Sequence, residues 1–131
     1  MIKKYNQFIV EKLTNKFNFI INKIYNFDEL PIDIQKDIEI QFDEYSELKP
    51  IDYKYVAKIL KPIEIEEYIF NNFGEYNIQD ILEEPYMVNL INDINKNGLD
   101  YPIVGIEGNH RALALYHLNK DIPYLEMVEI N

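Results

Sequence analysis

Apolar residues recur at three- and four-residue intervals over Met1 to about Thr14 (Ile2, Tyr5, Phe8, Ile9, Leu13), which predicts an amphipathic helix. From Lys16 the pattern changes to Phe17, Phe19, Ile21 and Tyr25 among Asn and Lys, and this predicts a strand ending near Phe27. Phe27 to Pro31 is the entry to a second helix, with Ile34, Ile38, Phe42 and Tyr45 along one face and carboxylates opposite. Ser46 to Pro50 breaks the pattern. Tyr53 to Ile59 fits either period and is read as helix, whereas Pro62 to Glu66 alternates and is read as a strand with Ile63 and Ile65 on one face. Asn71 to Gly74 marks a turn, and Tyr76 to Leu82 a short helix. A longer helix runs from Pro85 to Gly98, with a stripe of Met87, Leu90, Ile91 and Ile94. Tyr101 to Ile106 is a short buried strand, and Ala112 to Leu118 a helix.

The join between those last two elements carries the candidate chemistry. Glu107-Gly108-Asn109-His110-Arg111-Ala112 holds the only arginine among thirteen basic residues. A strand, a glycine turn and a helix start form an anion site, because the first helical N–H groups lack internal partners and carry the positive end of the dipole. Arg111 adds a planar fork of donors suited to phosphate or carboxylate. A plain turn at Gly108, with Arg111 paired to a surface carboxylate, explains the same residues. His110 and His117 lie two helical turns, about 10 Å, apart, too far to share a metal ion. No zinc-type ligand spacing, P-loop, dinucleotide fingerprint or serine-hydrolase elbow occurs, so no metal site is expected.

Three stretches together resemble the ParB/sulfiredoxin superfamily: Asn97-Gly98-Leu99-Asp100-Tyr101-Pro102-Ile103-Val104, then Glu107 to Ala114, then Asp121-Ile122-Pro123-Tyr124. Order and spacing match from about Ile63 to Ile130, and the turn is closer to the sulfiredoxin and free-serine-kinase branches than to the partition proteins. The resemblance implies an α+β fold with a small mixed sheet, packed helices and an N-terminal helix/strand extension. It further implies that Gly108, Asn109, His110 and Arg111 hold the phosphates of ATP, ADP or another nucleotide, with or without magnesium. Phosphoryl transfer or nucleotide hydrolysis would then use Arg111 and His110 on the phosphoryl oxygens. Glu107 or a glutamate among Glu64, Glu66 and Glu67 would serve the metal or the nucleophile, and Glu64 is the candidate catalytic residue among the three. Alternating glutamates on the wet face of a strand explain the same residues without function. Sulfiredoxin chemistry itself is excluded, because Asn109 stands where its cysteine is needed and the chain has no cysteine.

Composition changes this picture in two ways. At 131 residues and 47% hydrophobic, the chain suits a single domain over residues 1–131, with residues 1–50 an extension packed on 51–131. No run approaches a membrane span and no signal peptide is evident, so a cytoplasmic protein is expected. A formal charge of −10 disfavours direct nucleic-acid binding, which relies on basic residues releasing counterions. The same charge opens an alternative function: a non-catalytic acidic inhibitor or adaptor, of the kind a mobile element carries, that occupies a partner's basic surface by mimicking nucleic acid. Tyr101 and Tyr124 flank the turn in sequence and would line a purine pocket.

Overall fold

A computed structural model describes residues 14–73, 78–105 and 109–130. The helix expected over Met1 to Thr14 lies outside them apart from Thr14 itself. Three strands form an antiparallel sheet in the order β1 (Ile24–Asn26), β2 (Tyr53–Leu60), β3 (Ile122–Glu129). Five helices accompany it among the described residues: α1 (Ile32–Glu39), α2 (Pro62–Phe73), α3 (Ile78–Glu83), α4 (Pro85–Asn97) and α5 (His110–His117). The fold is α+β, as expected, but the sheet is not mixed. Among the described residues parallel pairing is confined to isolated bridges, Thr14 to Leu99 and Ile103 to Tyr124.

Two assignments made from the pattern are exchanged. Tyr53 to Ile59 is a strand, because its buried side chains Tyr55 and Ala57 lie two residues apart, alternating with Lys54, Val56 and Lys58. Pro62 to Glu66 is the first turn of α2. Proline at its first position loses no helical hydrogen bond, and the Glu64 Oε2 accepts the Lys61 backbone N–H at 3.1 Å. The stripe that holds the helix down is Ile65, Ile69 and Phe73, all buried, while Ile63 is 73% exposed. The helix runs through Phe73, where a turn was expected. The segment from Lys16 gives only the short β1, and the described part of Tyr101 to Ile106, residues 101–105, gives a single paired residue, Ile103, bonded to Pro123 and Leu125 at 2.8 and 2.9 Å. The helix after Pro31 stops at Glu39, so Tyr45 is exposed and Phe42 packs at a tilt on Tyr53 from the following loop.

Two helices lie close to where the pattern puts them. α4 starts at Pro85, buries Met87 and Ile94, and ends before Gly98, whose φ of +72° suits a residue without Cβ. α5 buries Ala112 to Leu115.

The core has two lobes. One joins α2, α4 and α5 through Ile65, Ile69, Met87, Ile94 and Leu113, and the other joins the sheet to α1 and residues 17–30 through Phe19, Tyr25, Ile34, Ile38, Tyr55 and Leu125. Tyr55 is fully buried and donates its hydroxyl to the Pro50 carbonyl at 2.7 Å. Burial, with a smaller contribution from Tyr53, pushes that hydroxyl up to about 12. The folded state therefore holds the proton more tightly than the unfolded chain, and the contribution is intact below pH 10 and lost as pH rises from 10 to about 12. Chemical unfolding across that range should show Tyr55→Phe losing less stability than the wild type, a difference of the order of 2 kcal/mol. Parallel curves would show that Tyr55 does not govern alkaline unfolding.

Candidate functional site

Tyr101, Val104 and Arg111 each meet one stripe of polar side chains on α1 and just beyond its end. Asp33 and Asp37 lie one turn apart on the helix, and Gln41 follows one turn further on, beyond its end. Asp33 Oδ2 accepts the Tyr101 hydroxyl at 3.2 Å, and Gln41 Nε2 donates to the Val104 carbonyl at 2.9 Å. Asp37 Oδ2 stands 3.8 Å from the Arg111 guanidinium. The adjacent stripe, Ile34 and Ile38, is buried in the second lobe, so the helix is fixed from below while its polar stripe meets the turn. Gly105 has a φ of +88°, and a Cβ there would meet Gln41 Oε1 at 3.2 Å.

Beside these contacts lies a cleft of about 1000 Å³, whose lining includes Asp37, Gln41, Asn109 and Arg111 together with Glu64, Tyr68, Tyr124 and Glu126. Arg111 also lines a second cleft of about 440 Å³, together with Asp93, Asn97, Asp100 and Tyr101. The single arginine thus stands between two depressions. Its side chain is 35% exposed, and at 3.8 Å its pair with Asp37 exceeds hydrogen-bonding distance.

Of the residues expected to form the site, Glu107 and Gly108 lie outside the described residues. Asn109 is the N-cap of α5: its Oδ1 accepts the Ala112 N–H at 3.1 Å and its Nδ2 donates to the Gly105 carbonyl at 3.2 Å. One of the free N–H groups of the helix is therefore already satisfied by the protein. His110 is directed elsewhere. Its ring stands edge-on to Phe73 and Tyr86, with Nε2 3.1 Å from the Tyr86 hydroxyl, and it does not line the large cleft. His117 is exposed at the far end of α5.

Glu64 reaches the cleft by a route the pattern did not indicate, from a helix start rather than a strand face. Tyr124 lines the large cleft and Tyr101 the small one, so they do not face one another across a common pocket. Burial first, then Glu126 and Tyr68, raises the Tyr124 hydroxyl above its ordinary value, and it remains a neutral donor near neutral pH.

Asp37, Gln41 and Glu126 were not foreseen. The four-residue spacing of Asp33, Asp37 and Gln41 was visible as a stripe, but nothing local says what it faces. The charge of the large cleft is the consequence: among the described residues that line it, three carboxylates, Asp37, Glu64 and Glu126, stand against one guanidinium. Lys58, which pairs with Glu126, offsets one of them. Among the described residues no group of three or more His, Asp or Glu side chains is arranged to hold a metal ion, and no helix is long and apolar enough to cross a membrane.

Compared with known proteins, the chain matches no family model, no curated protein and no solved structure.

Proposed function

We propose that the chain binds a small phosphorylated ligand, a nucleotide or a related molecule, in the cleft beside Arg111. The observation that carries this reading is the position of that one arginine: in the first turn of α5, on the cleft wall, and held among the described residues by a long contact to Asp37. A guanidinium so placed can exchange a weak carboxylate contact for a bidentate phosphate contact, with the dipole of α5 acting in the same sense. The resemblance of the Asn97 to Tyr124 region to ParB/sulfiredoxin proteins supports the same ligand class. Phosphoryl transfer or nucleotide hydrolysis is the reaction class that suits this arrangement. Arg111 would stabilise the transferred group, and Glu64 would take the acceptor's proton through the oxygen not engaged by the Lys61 N–H.

Calorimetric titration of the purified chain with AMP, ADP and ATP, with and without magnesium, tests the proposal. Saturable binding of at least one is expected, and no heat with any of them overturns it. The excess of carboxylates favours a second reading, an acidic adaptor that seats a basic protein segment. Arg111→Ala discriminates the two, since it removes a phosphate site and leaves capture of a basic partner intact.

A further inference from the structure

We infer that Asp37 is a built-in competitor for the anion that Arg111 holds, and that it makes the cleft select ligands of low negative charge. The inference rests on the proposal that Arg111 holds a phosphate. Asp37 already stands where a ligand anion would approach, 3.8 Å from the guanidinium, with both side chains partly in solvent. That contact is weak enough to be exchanged.

What matters is where Asp37 goes when it is displaced. Its helix cannot retreat, because Ile34 and Ile38 are buried beneath it and Asp33 and Gln41 hold the same stripe to Tyr101 and Val104. Only the side chain can turn, so the displaced carboxylate stays beside the bound anion. Glu64 and Glu126 line the same cleft, and Lys58 compensates only Glu126. Once Arg111 engages the ligand, no cation among the described residues is paired with Asp37 or Glu64. Each further negative charge on the ligand then meets two carboxylates in a space partly screened from water. Ordinary basic phosphate sites tighten as phosphates are added. This cleft should loosen.

The experiment is titration of wild type, Asp37→Asn and Glu39→Gln with AMP, ADP and ATP at fixed ionic strength and without divalent ions. The series keeps the base constant and changes only the charge. Glu39→Gln removes the same charge from the same helix at an exposed position outside the cleft lining.

Wild-type affinity is expected to fall from AMP to ATP. Asp37→Asn should raise AMP affinity about fivefold and ATP affinity more, whereas Glu39→Gln should change neither by more than about twofold. Thermal unfolding confirms that the variants are folded. Wild-type affinity that rises from AMP to ATP overturns the inference, as does an Asp37→Asn affinity equal to wild type. An equal gain from Glu39→Gln also overturns it, since net charge would then explain the effect. Those outcomes leave the phosphate site standing. Absence of binding by wild type and Asp37→Asn alike, with magnesium as well as without, removes the phosphate site and the inference together.

Discussion

Leu113→Ala is expected to cost about 2–5 kcal/mol of stability, a large share of the roughly 5–15 kcal/mol typical of a domain. Leu113 is fully buried in α5, within the cluster of Ile65, Ile69, Met87, Ile94, Ile103 and Ile122. These neighbours come from α2, α4, β3 and the bridge residue Ile103, so several backbones would have to move to fill the space left by the side chain. Partial collapse is the reason such costs exceed simple transfer. Urea unfolding should show a lower midpoint with an unchanged slope. Ile63→Ala provides the contrast: at 73% exposure it should shift stability by no more than about 0.5 kcal/mol. A Leu113→Ala cost below about 1 kcal/mol would mean that α5 is not packed as described.

Arg111→Ala is expected to weaken binding of the best-bound nucleotide by about tenfold to a hundredfold, the range for losing hydrogen bonds to a charged group. Its effect on folding should be small by comparison. The pair with Asp37 is long and solvent-accessible, a kind of contact that contributes at most about 1 kcal/mol. The midpoint of thermal unfolding should therefore move by only a few degrees. Arg111→Lys keeps the charge but not the fork, and should fall between wild type and alanine. Calorimetry that finds Arg111→Ala binding as tightly as wild type would place the ligand outside this cleft.

How far the molecule can be read from its sequence depends on how local each decision is. α4 was legible because its start at Pro85, its end at Gly98 and the stripe through Met87 and Ile94 all agree. The start of α2 was misread over a five-residue window in which Ile63 and Ile65 alternate with glutamates. The decisive stripe, Ile65, Ile69 and Phe73, emerges only over three turns, and Pro62 with Glu64 is also a helix-start signature. Tyr53 to Leu60 went the other way, since Tyr55 and Ala57 take their burial from a cluster shared with α1, β3 and residues 17–30 rather than from any local preference. Arg111 could be singled out from its turn alone. Asp37 and Gln41 could not, because their contacts to Arg111 and Val104 join distant parts of the chain. His110 is expected at the phosphate from its place in the first turn, and in the fold its ring stands against Phe73 and Tyr86.

The register of β2 on β3, from Tyr53 opposite Glu129 to Leu60 opposite Ile122, closes a loop that contains every helix from α2 to α5. Closing so long a loop costs chain entropy that no contact returns until the strands meet, whereas isolated helical turns form within microseconds. Topology of this kind belongs with folding times of milliseconds or longer, set by the meeting of the two strands. Glu64 and Arg111 lie inside the loop, and Asp37 and Gln41 lie before it. The cleft therefore comes together at the closing step, and partly folded chains with their helices already formed lack it.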